Sequence, residues 1–207
     1  MAGKSDSRGV DVEQVPGLDV AHSVEGSSAQ PTRRISATSK SLALAEFLET
    51  DIDALHSFAS DPMVCRYSLW GPNKLEESQA FLSDALVTKP GRLMMAVMFG
   101  GAVIGTASVW TTNEEQRIGE LGYTLHQDYW GQGLGTEVAV ALVDLGFRLL
   151  QLRQIEATCD SRNVGSSKVL IKAGLRFVGR RAEDPGSTGG RNETLLYMVE
   201  SETRAHN

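Results

Sequence analysis

A short glycine turn carries the strongest chemical signal in this sequence of 207 residues. The run Gly131-Gln132-Gly133-Leu134-Gly135 lies between an alternating apolar stretch and a largely apolar run over residues 138–150. Alternation with period two predicts a strand before the turn, and the apolar run predicts a helix after it. The first N–H groups of such a helix have no partner within it and point at the turn. Because glycine lets the backbone approach a phosphate closely and the helix dipole favours negative charge, the turn predicts an anion site.

Two nucleotide-binding classes fit this turn poorly. A Walker A loop needs Gly-Lys-Ser/Thr after the glycines, and no lysine follows them here. A dinucleotide fold places its glycines near the start of a parallel βαβ series and an acidic residue at the end of the next strand. Here the turn follows antiparallel-looking strands, and the next strand ends in Ala157-Thr158-Cys159. A glycine pattern alone is weak evidence, so a purely structural tight turn stays open.

A second motif, Asn163-Val164-Gly165-Ser166, follows the turn and continues as SKVLIKAGLRFVG to Gly179. Together the two motifs resemble the GNAT superfamily of acyl-CoA-dependent N-acetyltransferases. The stretch YWGQGLGTE is similar to the branch that acetylates the N-termini of ribosomal proteins and related amines. The family phosphate loop, Arg/Gln-x-x-Gly-x-Gly/Ala, falls on residues 130–135. Trp130 departs from the superfamily pattern but matches this branch, as does Glu137.

The resemblance implies acetyl-CoA as the co-substrate and no metal. Its pyrophosphate would lie on the N–H groups of residues 132–136, and its pantetheine arm in a split between the strands that end at Leu125 and Cys159. Main-chain groups of residues 123–125 would pair with the arm, as a peptide pairs with an open strand edge. Asn163 would bind the arm, cap the following helix, or do both. The implied cofactor-binding residues are Tyr123, Leu125, Trp130, Gly131, Gln132, Gly133, Leu134, Gly135, Thr136 and Asn163.

Two residues are candidates for proton transfer and charge stabilisation. Glu120 lies on the strand that leads into the split and could take a proton from the arriving ammonium; alternatively it faces solvent. Many superfamily members use a tyrosine seven residues after the position of Asn163 as the acid, and here that position holds Leu170. In the ribosomal branch a serine that matches Ser166 is a proposed acid. Ser166 would act as an acid, act only as a hydrogen-bond donor to sulfur, or merely lie in the first turn of the helix.

The elements that must position these residues can be read from the hydrophobic pattern. Residues 1–40 show no period and are expected to form a disordered tail, followed by an acetyltransferase domain over residues 41–203. Within the domain the pattern predicts the order β α α β β β α β α β β, with a hairpin at Gly100-Gly101. The expected fold is α/β of the α+β kind: a GNAT-type mixed, mostly antiparallel sheet of six or seven strands flanked by helices.

Composition limits the partners and the location. The net charge is −6, and residues 1–40 hold as many acidic as basic groups, so the excess lies in the predicted domain. An acidic domain is a poor binder of nucleic-acid backbones, and we expect a cationic partner instead. No long apolar run suggests a membrane span or a signal peptide. Two cysteines without metal-ligand spacing suggest reduced thiols and a cytoplasmic protein.

The predicted activity is acetyl transfer from acetyl-CoA to a primary amine by direct attack in a ternary complex. The acceptor could be a protein N-terminus or a small cationic molecule, and its specificity should lie in loops 63–73 and 183–192. A non-catalytic acyl-CoA sensor is the alternative, since it would keep the glycine turn and Asn163 without needing Glu120 or Ser166. Oligomeric state is not readable from the sequence, so a homodimer stays open.

Overall fold

The computed structural model describes residues 33–182 and 193–201. The predicted order of elements is observed, with the addition of the edge strand β1 and the short helix α2. Two turns of 3₁₀ helix, Glu49–Asp51 and Gln127–Tyr129, lie between elements. The elements are β1 (Ile35–Thr38), β2 (Ala43–Ala45), α1 (Ile52–Ala59), α2 (Pro62–Cys65), α3 (Leu75–Ala85), β3 (Arg92–Phe99), β4 (Ala102–Asn113), β5 (Ile118–Leu125), α4 (Leu134–Arg148), β6 (Gln154–Asp160), α5 (Val164–Lys172), β7 (Arg176–Ala182) and β8 (Glu193–Glu200).

The strands of the described chain form one sheet in the order β1-β2-β3-β4-β5-β6-β8-β7. Neighbours are antiparallel except β5 and β6, so the expected mixed, mostly antiparallel fold is confirmed. The sheet has eight strands rather than six or seven, because β1 lies inside the segment 1–40 that was expected to be a tail. Ile35 is 58% exposed, and the strand pairs only with β2, so its sequence lacks an alternating apolar signal.

Polar contacts tie the segment around residues 33–41 to the rest of the described chain, and two sets of them involve a carboxylate on a later element. Arg33 donates two hydrogen bonds to the carboxylate of Asp51, at 2.7 and 2.6 Å. Glu137 on α4 accepts hydrogen bonds from the Ser39 hydroxyl at 2.6 Å and the Ser41 N–H at 3.0 Å. The Ser39 bond holds the pKa of Glu137 below its ordinary value. The folded domain therefore begins before residue 41, while residues 1–32 of the predicted tail lie outside the described residues.

Two apolar clusters cover the two faces of the sheet. On β3, Met95 and Val97 join the cluster of α4, whereas Ala96 joins the cluster of α1 and α3. This division follows from the period of two along a strand. Helix α4 buries Val138, Leu142 and Leu145 at helical spacing, and it follows β5 after the connection of residues 126–133. No helix in the described part of the chain is long and apolar enough to cross a membrane.

Candidate active site

The sheet opens between β5 and β6. These parallel strands pair over three residue pairs, of which Glu120 with Glu156 is the last. Beyond this point β5 continues to Leu125 and stays paired with β4, while β6 continues to Asp160 and stays paired with β8. One edge of residues 121–125 therefore faces an opening within the sheet rather than a neighbouring strand.

The glycine turn follows β5 and leads into α4. Gly131 and Gly133 have φ of +74° and +84°, a conformation that other residues adopt only with strain. Gly135 has no such φ, but a Cβ there would lie 3.4 Å from Val169 and 3.5 Å from Tyr123. Two glycines thus set the path of the turn, and the third lies in ordinary packing distance of Val169 and Tyr123. Leu134 begins helix α4, so the first N–H groups of the helix have no acceptor within the helix. One of them, the Thr136 N–H, already donates to the Gly133 carbonyl at 3.0 Å.

Trp130 lies across the end of the opening. Its indole Nε1–H donates to the Leu125 carbonyl at 2.8 Å, and the side chain is 47% exposed. Sequence reasoning assigned main-chain groups of residues 123–125 to the pantetheine arm. The indole N–H therefore already occupies one lone pair of the Leu125 carbonyl. Gln132 donates from its side chain to the Asp128 carbonyl at 3.0 Å, which holds the turn against the preceding 3₁₀ turn.

Two cavities meet at the opening and form one groove. The cavity over the faces of β4 and β5 has a volume of about 350 Å³ and includes Glu120. The cavity along the glycine turn has a volume of about 420 Å³. The residues that line both cavities are Tyr67, Ser68, Tyr123, Thr124, Asn163 and Ser166.

Glu120 lies at the last pair before the strands separate. Its carboxylate accepts a hydrogen bond from the Thr158 hydroxyl at 3.3 Å and lines the first cavity. Trp110 is its cross-strand neighbour on β4. The side chain therefore faces the groove and not open solvent.

Asn163 and Ser166 lie at the start of α5. The Asn163 side chain caps the helix by accepting from the Ser166 N–H at 3.0 Å, so the capping role is observed. The Ser166 hydroxyl lies 3.3 Å from the hydroxyl of Tyr123. Burial raises the pKa of Tyr123 to about 12, so the phenol stays protonated at neutral pH.

Sequence reasoning missed the side chain of Tyr123, for which only the main chain was considered. The position where the family resemblance implied a tyrosine holds Leu170, which is buried and lines the first cavity. The phenol arrives instead from β5, on the other wall of the groove. Because position 170 holds a leucine, a tyrosine elsewhere in the sequence could have been sought. Only the three-dimensional structure shows that the hydroxyls of Tyr123 and Ser166 are close together.

The two halves of the groove carry opposite charge. Arg66, Lys168 and Lys172 line the cavity beside the glycine turn, whereas Glu120 and Asp160 line the other. Sequence reasoning also missed these cations. Lys168 and Lys172 are one helical turn apart on α5, a spacing that places them on one face, whereas no pattern singled out Arg66.

Asp160 at the end of β6 does not add free negative charge to the groove. Its buried carboxylate accepts from the Arg162 guanidinium at 2.9 and 2.7 Å. The same guanidinium lies 5.7 Å from the ring centroid of Tyr67, and Arg66 lies 5.1 Å from it. These contacts fix Tyr67 at the junction of the two cavities. Among the described residues, no cluster of three or more His, Cys, Asp or Glu side chains could hold a metal ion.

The loops expected to set specificity are only partly described. In 63–73, the start belongs to α2, because Asp61 caps a short helix by accepting from the Met63 N–H at 2.7 Å. Tyr67 and Trp70 from this loop line the first cavity. The second loop, residues 183–192, lies outside the described residues.

Comparison with known proteins identifies the class. The family of the acetyltransferase (GNAT) domain matches residues 41–176. The "Uncharacterized N-acetyltransferase p20" of Bacillus licheniformis is 31% identical over 125 residues, which cover 58% of this chain and 70% of the relative. A solved GNAT-family acetyltransferase from Bacillus anthracis has a TM-score of 0.72 at 24% identity, over 80% of this chain and 98% of that one. Fold and family together define an acetyltransferase enzyme.

The chain belongs to the GNAT acetyltransferases, and the resemblance inferred from its two motifs is confirmed. Acetyl-CoA is the acetyl donor in this family. Two further solved structures share the fold. RimL, a ribosomal-protein alpha-N-acetyltransferase in complex with coenzyme A, has a TM-score of 0.71 at 18% identity, over 81% of this chain and 98% of that one. Spermidine N-acetyltransferase from Vibrio cholerae has a TM-score of 0.69 at 15% identity, over 79% and 98%.

Proposed function

We propose that this acetyltransferase moves the acetyl group to a primary amine by direct attack in a ternary complex. The observation that carries the proposal is the groove that crosses the opening between β5 and β6, with cations at one end and Glu120 at the other. A donor and an acceptor that enter from the two ends would meet at Tyr123 and Ser166. No covalent enzyme intermediate is needed for this arrangement.

The donor would lie along the glycine turn and the open edge of β5. The pyrophosphate would lie on the N–H groups of residues 132–136, with Thr136 sharing its N–H with the Gly133 carbonyl. Arg66, Lys168 and Lys172 add positive charge on the same side. The pantetheine amides would pair with the main chain of residues 121–125, and a backbone N–H there would polarise the thioester carbonyl. Trp130 would lie beside the arm where the turn begins.

Glu120 would act as the base, directly or through one water molecule. It removes a proton from the ammonium, and the neutral nitrogen then attacks the thioester carbonyl carbon. As the tetrahedral intermediate collapses, the C–S bond breaks and the nitrogen loses its second proton to the leaving sulfur. The products are the acetylated amine and CoA thiol, and Glu120 returns its proton to solvent.

Tyr123 and Ser166 would stabilise the departing thiolate by hydrogen bonding. A phenol with a pKa of about 12 is a much weaker acid than a thiol, whose ordinary pKa is about 8.5. Proton transfer from Tyr123 to the sulfur is therefore uphill, and a serine hydroxyl is weaker still. A hydrogen bond to the charged sulfur is nevertheless stronger than one to a neutral acceptor.

The acceptor is a primary amine of one of two kinds. RimL acts on a protein N-terminus, and the Vibrio cholerae enzyme acts on spermidine, a small cationic amine. Both are similar to this chain in fold, so either acceptor kind is consistent with it. A non-catalytic acyl-CoA sensor would also keep the glycine turn.

Titration calorimetry with acetyl-CoA, combined with thiol release in an amine panel, tests the proposal. We expect binding of acetyl-CoA and amine-dependent release of CoA thiol. Binding without turnover on any amine would favour the sensor. No binding of acetyl-CoA would overturn both functions.

A further inference from the structure

One wall of the first cavity is a loop whose own packing fixes it only weakly. This wall consists of Tyr67 and the three residues after it, Ser68, Leu69 and Trp70. Tyr67 and Ser68 also line the cavity along the glycine turn. Leu69 is 54% exposed and Trp70 is 42% exposed, so burial of their side chains contributes little to holding the loop. The shape of the wall therefore depends on what holds Tyr67.

A buried ion pair lies beside this wall, at the end of β6. The carboxylate of Asp160 accepts from Nε and Nη2 of Arg162 at 2.9 and 2.7 Å, and from the main-chain N–H of Arg162 at 2.8 Å. Two parallel hydrogen bonds to one carboxylate fix the plane of a guanidinium. The Asp160 side chain is fully buried, whereas that of Arg162 is 48% exposed. The guanidinium is thus held firmly although it lies near the surface.

The ring of Tyr67 contacts this guanidinium. The central carbon of the Arg162 guanidinium lies 5.7 Å from the ring centroid, within the range of a cation–π contact. Tyr67 follows α2, whose Val64 packs against the apolar cluster on one face of the sheet. Arg162 precedes α5, whose Leu170 belongs to the cluster on the other face. The contact therefore joins the two helix layers beside the opening between β5 and β6.

We propose that Arg162 is a positioning residue for the acceptor, which acts by holding Tyr67 and the loop of residues 66–70 as a wall of the first cavity. This inference rests on the proposed function, in which the amine enters that cavity. Asp160 fixes the guanidinium, the guanidinium fixes the ring, and the ring fixes the wall. Loss of this contact frees the wall and weakens amine binding, whereas the glycine turn and α5 still hold acetyl-CoA.

Two substitutions remove the contact without removing the charge beside Asp160. Arg162→Lys keeps a cation next to the buried carboxylate but lacks the planar fork that makes two parallel bonds and stacks on a ring. Tyr67→Leu keeps the ion pair and removes the ring. A neutral residue at position 162 would take a charged donor from a buried carboxylate and endanger folding, so it is a poorer test.

Steady-state kinetics with acetyl-CoA and three amines test the role. The amines are n-butylamine, spermidine and a hexapeptide with a free N-terminus. For the amine with the highest kcat/KM, Arg162→Lys and Tyr67→Leu should each raise the KM by about 3- to 20-fold, the range of a cation–π contact. The kcat and the Kd for acetyl-CoA should stay within about threefold of the parent values, because only ground-state binding of the amine is lost.

The matched control is Arg180→Lys. Arg180 donates to Glu193 at 2.9 Å and lines neither cavity, so this variant should keep the parent KM. The double variant Arg162→Lys/Tyr67→Leu should have the KM of Tyr67→Leu alone, because the arginine acts through the ring. Additive effects of the two substitutions would show that Arg162 acts on the amine by another route and would overturn the inference.

Hydrogen exchange in the absence of amine supplies a second measurement. The amides of residues 66–70 should exchange faster in Arg162→Lys than in Arg180→Lys, because the loop opens more often. Equal exchange in the two variants would overturn the positioning role. Absence of turnover on every amine would instead refute the proposed function, and the exchange comparison would still decide whether Arg162 holds the wall.

Discussion

Glu120 lies at the end of the pairing between β5 and β6 and lines the first cavity. Its carboxylate keeps a hydrogen bond from Thr158, which orients it toward the groove. A base in this position can reach an amine that lies over the sheet. Catalytic roles of this kind can be tested by replacements that keep the shape of the side chain.

Glu120→Gln should lower kcat/KM by about 10²- to 10⁴-fold at neutral pH, because general base catalysis is lost. The remaining rate should rise with pH until the acceptor amine itself is deprotonated. The measurement is a pH profile of thiol release for both enzymes. Glu156→Gln is the matched control, since this cross-strand glutamate does not line the cavities and accepts instead from Gln154. Equal profiles for Glu120→Gln and the parent enzyme would remove Glu120 from the mechanism.

Tyr123→Phe should lower kcat by about 10- to 100-fold, the loss expected for one hydrogen bond to a charged atom. The KM for acetyl-CoA should stay within about threefold. Because the raised pKa of about 12 keeps the phenol protonated, the effect should be the same from pH 6 to pH 9. Ser166→Ala should act in the same direction. A basic limb near pH 9 that disappears in Tyr123→Phe would show proton donation instead.

At this scale, sequence reasoning selected residues that belong to a motif or a strand period, and the roles given to them stay predictions. Glu120, Asn163 and Ser166 were chosen in this way, and all three line the first cavity. Tyr123, Arg66 and the two lysines of α5 reach the groove from separate elements. Their convergence depends on how α5 and the loop after α2 pack around β5, which no local pattern encodes.

The three glycines of the turn differ in backbone conformation and in their neighbours. Gly131 and Gly133 have a positive φ that favours glycine, whereas a Cβ at Gly135 would make only ordinary van der Waals contacts with Val169 and Tyr123. The sequence predicted the turn and the helix after it because glycines and an apolar run adjoin. It did not distinguish the three glycines, because their difference lies in backbone angles and neighbours.

Gly133→Ala should raise the Kd for acetyl-CoA by about 5- to 30-fold, because the left-handed conformation costs a non-glycine residue about 1–2 kcal/mol and relief of that strain moves the N–H groups. Calorimetric titration measures this change. Gly100→Ala is the control: its φ is +57° and it lies in the β3–β4 hairpin, away from both cavities. The control should lose similar stability without loss of acetyl-CoA affinity. An equal loss of affinity in both variants would exclude a specific role for the turn.

At the scale of the molecule, the order of elements was predictable because alternating strands, apolar helices and glycine turns succeed one another clearly. Strand β1 could not be predicted from the sequence, because its residues are partly exposed and pair with a single strand at the edge of the sheet. Arg33 and Arg34 precede this strand and look equivalent in the sequence, but they differ in burial and in their acidic partners. Arg33 is 17% exposed and contacts Asp51, whereas Arg34 is 77% exposed and contacts Glu46.

Arg33→Ala should lower the free energy of unfolding by about 1.5–3 kcal/mol, because it leaves the buried carboxylate of Asp51 without its charged donor. Arg34→Ala should change it by less than about 1 kcal/mol, as expected for an exposed ion pair. Urea denaturation of both variants provides the comparison. Equal destabilisation would mean that the contact of Arg33 with Asp51 does not anchor the start of the domain.

The three-pair contact of β5 with β6 also has a consequence for the protein without its substrates. An unpaired strand edge normally lies at the border of a sheet, and here one lies in the interior. If the pantetheine arm takes the place of the missing neighbour, those amides of residues 121–125 that do not pair with β4 should exchange hydrogen with solvent quickly in the free protein and slowly once CoA is bound. The co-substrate then completes the sheet, and product release is a local opening of the fold.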